Sequence, residues 1–179
     1  EITKRKEMLG LNNVVVYSPE EEEITKGPAG ERRNYFNRIF SICSPVYLKN
    51  LLSYNKTLKQ KNALLKIKNQ KKDILSAWNE PLSFFGQKLW CERKKETEKF
   101  GKIFKKTAMS FDVNLEIEVN YKNKTKNKNE IRRELDKNQE TDIKRGFTSF
   151  GPHRDEILFF FENKTIRKHG SQGEHKLFL

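Results

Sequence analysis

Gly151-Pro152-His153-Arg154-Asp155 leads into the apolar run Ile157-Leu158-Phe159-Phe160-Phe161, and further on the chain reaches Gly170-Ser171-Gln172-Gly173-Glu174. Five consecutive apolar residues between turn signals predict a strand covered on both faces. Gly-Pro fixes a turn ahead of that strand. Glu162-Asn163-Lys164-Thr165 reads as a hairpin-like turn, and 166–168 returns briefly. In the second stretch, small residues let a backbone approach a phosphate closely. The helical pattern that follows turns free N–H groups toward an anion, and the Ser171 hydroxyl adds a donor. Each stretch alone also has a bland reading: a structural turn with an Arg–Asp pair, and a common Ser-Gln-Gly turn.

Upstream, Val113, Leu115, Ile117, Val119 and Tyr121 alternate with polar residues, which predicts a half-buried strand over 113–121. Lys122 to Lys128 is a basic loop, and 130–145 reads as a polar helix anchored by Ile131, Leu135 and Ile143. Before these lie two long amphipathic patterns. One starts at Ser44-Pro45 and runs to about residue 68, with Leu51, Leu58 and Leu65 seven apart and Leu48, Leu52 and Leu64 beside them. The other carries Ile74, Trp78, Leu82, Phe85 and Leu89, then Phe100, Phe104, Ala108 and Phe111, with Pro81 near its start. A short polar break between two such patterns predicts an antiparallel helical hairpin. Near the beginning, Val14-Val15-Val16-Tyr17 reads as a strand and Ser18-Pro19-Glu20-Glu21 as a helix start. Gly27-Pro28-Ala29-Gly30 breaks that helix. A further helix over 31–42 sets Tyr35, Phe36, Ile39 and Phe40 on one side and Arg32, Arg33 and Arg38 on the other.

The chain has 179 residues, 35% hydrophobic and 34% charged, with a net charge of +13 and a pI near 9.7. That balance favours polyanionic partners, yet a genome biased toward Lys and Asn codons gives the same balance without any selection for nucleic acid. Arg32, Arg33, Lys122, Lys124, Lys126 and Lys128 are the candidate DNA-contacting cations. Cys43 and Cys91 lie far apart, outside any C-x-x-C pair, so neither a disulfide framework nor a zinc site is expected. His153, His169 and His175 have no cysteine neighbours to complete a metal set, and no metal site is expected. A reducing intracellular compartment fits this cysteine usage. No run of about 18 apolar residues is present, so no membrane-spanning helix is expected. The Asn-x-Thr triplets at Asn55, Asn123 and Asn163 read as chance matches.

Taken in order, these segments resemble the RecF family of bacterial recombination-repair proteins, ABC-class ATPases whose heads are related to those of SMC proteins. The similar stretches are 14–38, 44–65, 78–86 and 151–176. The resemblance implies a mixed α/β fold: an ABC-type ATPase head with an inserted helical lid. Residues 1–43 would end one lobe of the head, 44–111 would form the lid hairpin, and 112–179 would return strands to the head. It implies DNA repair and replication functions linked to the SOS response. The whole protein would bind ATP with Mg, dimerise around ATP, bind single- and double-stranded DNA at gaps and junctions, and help load RecA with RecR and RecO. A cytoplasmic location in a bacterium follows from the same resemblance. Ser171, Gln172, Gly173 and Glu174 match the ABC signature loop, which contacts nucleotide held by the opposite subunit. Glu174 and His175 stand where Gln is usual. Gly151, Pro152, His153, Arg154 and Asp155 match a turn of the head. The sequence contains no G-x-x-x-x-G-K-[ST] loop and no apolar run ending in paired acids. It also lacks an initial Met and stops just as an apolar helical pattern begins, so a central fragment is expected that alone neither binds ATP tightly nor hydrolyses it. A free-standing basic helical module that binds DNA or a partner protein is the alternative.

Overall fold

The computed structural model describes residues 22–67, 71–110, 115–122 and 127–178. The expected strand at 14–17 and the helix start at 18–21 lie outside them, as do Lys124 and Lys126. Helices α1 (Glu23–Lys26), α2 (Ala29–Cys43), α3 (Pro45–Leu65), α4 (Lys72–Ala77) and α5 (Asn79–Met109) come first. Strand β1 (Ile117–Lys122), α6 (Lys128–Lys137), α7 (Gln139–Arg145), β2 (Glu156–Phe161), β3 (Lys164–Thr165), α8 (Ile166–His169) and α9 (Gln172–Leu177) follow. The fold is thus mixed, helix-rich with a small antiparallel sheet in the order β1-β2-β3. Its residues divide into two compact units. One comprises 1–45, 94–122 and 156–179, and the other comprises 46–93 and 123–155.

Local chemistry sets the breaks. Ser44 precedes Pro45, whose ring disfavours helical backbone at the residue before it; Ser44 is extended at φ −141°, ψ 105° and α2 ends there. Pro45 then opens α3, where its missing N–H has no intrahelical acceptor to lose. Pro81 falls in the first turn of α5 for the same reason. The predicted polar helix over 130–145 is two helices: α6 closes at Asn138, and α7 closes on Gly146, left-handed at φ 73°. Between β2 and β3, Glu162 and Asn163 both take positive φ, as a two-residue hairpin turn with the right-handed twist requires. The return expected at 166–168 is helical instead, as part of α8, and the residues that pair with β2 are Lys164 and Thr165, which the sequence reading placed in the turn.

The sheet unit is built on aromatic rings. Pairing Val119 with Phe159 and Ile117 with Phe161 puts the alternate apolar residues of β1 and β2 on one face. Phe159 packs against Phe36 of α2 at 5.7 Å between ring centres, Phe104 of α5 at 6.3 Å and Phe178 at 5.5 Å. Phe36 in turn meets Phe100 edge-on at 5.1 Å. Offset and edge-to-face pairs of this kind add about 0.5–1.5 kcal/mol each beyond the area they bury.

The helical unit differs from expectation at its centre. The buried face of α3 is Tyr47, Asn50, Tyr54, Thr57, Lys61 and Leu65, so of the leucine stripe only Leu65 is fully part of it. Leu52 is half exposed, and Leu51 and Leu58 are only half-buried. Ile143, read as an anchor of its helix, is exposed, and Asp142 beside it is fully buried. Phe159→Ala is therefore expected to cost about 3–5 kcal/mol in urea denaturation. Leu52→Ala, at a stripe position that proves exposed, should stay within about 0.5 kcal/mol.

Candidate functional site

The Gly151–Asp155 turn is the hub of the helical unit. A short 3-10 turn (Pro152–Arg154) sets its residues in different directions. The Asp155 carboxylate accepts from Trp90 Nε1 at 2.7 Å and Arg93 Nη1 at 3.0 Å. Arg93 Nη1 also donates to the Pro152 carbonyl at 2.8 Å, and its Nε donates to Tyr47 Oη at 3.1 Å. The ion pair at this turn is thus Arg93 with Asp155, not Arg154 with its neighbour. Arg154 is exposed and lies 4.9 Å from the Phe147 ring centre.

His153 Nε2 lies 2.8 Å from the Thr148 carbonyl, which only accepts, so the ring proton sits on Nε2. Nδ1 then accepts from Tyr54 Oη at 2.7 Å. Burial raises the Tyr54 phenol far above its usual range, which keeps it a donor. Nearby, Lys61 and Asp142 form an ion pair at 3.6 Å with both side chains fully buried. Asp142 also accepts from the Ser149 N–H at 2.9 Å and from its hydroxyl at 2.6 Å. Burial pushes the Lys61 ammonium below its usual range while Asp142 opposes that shift. Arg93 and Lys61 were missed as key residues. Their signal was an arginine and a lysine standing where the helical spacing of α5 and α3 calls for a core residue.

In the sheet unit, Gly170 leads to Ser171, the N-cap of α9. Ser171 Oγ accepts from the Glu174 N–H at 3.3 Å, and the Glu174 carboxylate accepts from the Ser171 N–H at 2.7 Å. This reciprocal capping box turns the Glu174 charge back onto the chain. Ser171, Gln172 and Gly173 are exposed, and a Cβ built on Gly173 meets nothing within 4 Å. His175 is buried, with Nδ1 at 2.8 Å from Thr25 Oγ1. Thr25 Oγ1 donates its one proton to the Glu22 carbonyl at 3.0 Å, so His175 Nδ1 is the donor to Thr25. Burial lowers the imidazole's proton affinity, with Lys26 adding to the effect.

The candidate DNA cations among the described residues have different surroundings. Arg32, expected on an exposed side, is 1% exposed. It sits inside because its guanidinium donates to the Gly27 carbonyl at 2.8 Å and to Glu156 at 3.2 Å. Arg33 is half-buried and Lys122 exposed. Lys128 is paired with Glu80, which also takes Arg132. Among the described residues, no group of three or more His, Cys, Asp or Glu side chains could hold a metal ion, and no helix is long and apolar enough to cross a membrane. Cys43 and Cys91 are both exposed free thiols.

Two substitutions probe these arrangements. Gly151 holds φ 138°, and a Cβ there would stand 2.3 Å from Tyr54 Oη. Gly151→Ala should destabilise by about 1–3 kcal/mol from backbone strain alone, and more from the clash, measured by urea denaturation. His175 binds its proton less readily when folded than when unfolded, so the unfolded chain takes up more protons as pH falls through the ordinary histidine range. Stability should therefore drop between about pH 7 and pH 5.5, and His175→Gln should flatten that part of the profile.

No family model matches the chain. Among curated proteins it is 36% identical over 182 residues to the DNA replication and repair protein RecF of Lachnoclostridium phytofermentans, covering 98% of this chain and 49% of that protein. It is likewise 36% identical over 185 residues to RecF of Clostridium tetani, covering 98% of this chain and 50% of that one. Among solved structures, it matches the recombination mediator protein RecF–ATPrS in the RecFOR pathway with a TM-score of 0.87 and 30% identity, over 99% of this chain and 51% of that one. The RecF–ATP structure of the same pathway gives a TM-score of 0.86 and 30% identity over 96% and 49%. The chain is similar in sequence to RecF proteins over 98% of its residues and in fold to RecF structures, and it spans about half the length of the curated relatives it matches.

Proposed function

We propose that this chain is the part of a RecF-type ATPase that reaches across a dimer to touch nucleotide held by the opposite subunit, through Ser171, Gln172 and Gly173. The observation that carries this reading is Gly173. Glycine gives up more backbone freedom than alanine on joining a helix, about 0.5–1 kcal/mol in a helix interior, and Gly173 stands in the first turn of α9. Among the described residues, no neighbouring atom occupies the space where its side chain would stand. An external group that must approach the backbone supplies the missing reason.

The rest of the loop fits a phosphate. Ser171 Oγ uses a lone pair to cap Glu174, so its own proton stays available to donate to a phosphate oxygen. The amides of Gln172 and Gly173 belong to the first turn, where no intrahelical acceptor exists. Glu174 is drawn back by the capping box, so its carboxylate is bonded to the Ser171 amide and does not repel the anion at close range. In the whole protein, ATP with Mg would supply the phosphoryl chemistry, and this loop would position the nucleotide. On the same reading, the helices within 44–111 serve as the lid and 112–179 returns the chain to the head. The dimer works in recombinational repair on gapped DNA, with RecO and RecR as partners and RecA as the protein loaded.

In the protein that carries this chain, Gly173→Val should weaken ATP-driven self-association at least about tenfold by analytical ultracentrifugation, a loss of about 1.4 kcal/mol. Its circular dichroism should be unchanged, since the added methyls point into open space. Undiminished ATP-driven association in a folded Gly173→Val protein would exclude the loop from that contact.

A further inference from the structure

The second half of α5 carries a row of lysines that none of the candidate contacts above includes. Lys95, Lys99, Lys102 and Lys106 recur at intervals of four, three and four residues. At about 100° per residue they fall within an arc of about 60°, close to opposite Phe100 and Phe104, the residues that α5 sends into the aromatic core. All four are exposed. Eleven residues of helix make the row about 16 Å long.

The row is poorly neutralised. Among the described residues, one ion pair involves it, between Lys99 and Glu96 at 2.9 Å. Lys94 and Lys105 flank the row, and Glu98 is an exposed carboxylate of the same helix. Lys102 and Lys105 also border a cleft of about 530 Å³ whose lining includes Glu98, Glu116 and Glu118, so the carboxylates near this part of α5 stand toward β1. Three cations elsewhere do have carboxylates: Lys72 pairs with Glu140, and Lys128 and Arg132 pair with Glu80. Like charges three and four apart on a helix repel one another. A linear polyanion relieves that repulsion along the whole row, whereas a compact anion reaches one or two of its charges.

We infer that Lys95, Lys99, Lys102 and Lys106 form a contact for the phosphate backbone of duplex DNA. This deepens the repair reading above and rests on it. A row of this length lies alongside about five phosphates of one strand at 3.4 Å per residue of strand. The contact carries no base specificity, since ammonium groups at helix spacing meet only phosphates.

The experiment measures binding of this chain to a labelled 20-base-pair duplex by fluorescence anisotropy, across a KCl series and without nucleotide. Replacing Lys95, Lys99, Lys102 and Lys106 together by Gln should lower the slope of log K against log salt by about 3–4. A matched set on α3 and its end, Lys49, Lys56, Lys59 and Lys66 to Gln, removes the same charge and should change the slope by less than about 1. Circular dichroism checks folding. If the fourfold variant fails to fold, the pair Lys95→Gln and Lys102→Gln should lose about 2 from the slope. Equal losses in the two sets, an unchanged slope, or no duplex binding by the parent chain would overturn the assignment. So would poly-glutamate binding that disappears with the row while duplex binding persists, because the row would then serve an acidic protein partner. Each of these outcomes leaves ATP-driven association of Gly173→Val to be judged separately, so the two readings fail independently.

Discussion

A guanidinium shut away from water must be given acceptors, and much of the helical unit is arranged to supply them to Arg93. Three acceptors converge on it: the Tyr47 hydroxyl from α3, and from one turn the Pro152 carbonyl and the Asp155 carboxylate, itself held by Trp90. Breaking a buried pair of this kind by removing one partner typically costs about 3–5 kcal/mol, because the other charge is left uncompensated. The constraint also explains the Gly-Pro-His-Arg-Asp order. Gly151 takes a backbone angle that brings the chain close to Tyr54, Pro152 presents its carbonyl to Arg93, His153 bridges Tyr54 and Thr148, and Asp155 closes the ion pair. Arg154 alone turns outward.

The contrast with the sheet unit is physical. Six phenylalanines that need only area and ring geometry build one core, so its elements were legible in the sequence: Phe36 and Phe40 at helical spacing, Phe100 and Phe104 at helical spacing, and the unbroken run ending at Phe161. The helical unit buries Tyr, Asn, Thr and Lys along one face of α3. Periodicity reasoning sends leucines inward and lysines outward, and on α3 it chose a face turned aside from the buried one, with Leu65 buried and Leu51 and Leu58 only half-buried. The error has one source. A polar side chain is buried when a specific partner meets it, and those partners, Asp142 for Lys61 and Asp155 for Arg93, lie 81 and 62 residues further along the chain. No local pattern encodes that distance.

The candidate loop was legible for a different reason. Its meaning comes from the order of segments upstream, which carried the RecF resemblance, while its own five residues have little specificity. What remained hidden was the direction of each side chain. Ser171 and Glu174 stand three apart with a helical pattern after them, the spacing of a capping box, a signal for Glu174 turning back on the chain that the sequence reading did not use. The burial of Arg32 was less accessible, since Glu156 lies 124 residues away.

The two departures from the usual loop, Glu174 and His175, make sense together once their directions are known. A glutamate satisfies the Ser171 amide with a charge-assisted bond, stronger than the one a glutamine gives, and it complements the start of α9. Its carboxylate is spent on the chain's own backbone and leaves the outer side of the loop to Ser171, Gln172 and Gly173. His175, one residue on, points inward and ties α9 to Thr25 of α1. A buried imidazole that donates through Nδ1 remains neutral, so it adds no charge behind the loop. Both replacements therefore alter how the loop is held from behind, and the surface a nucleotide would meet keeps its hydroxyl, its free amides and its empty space at Gly173.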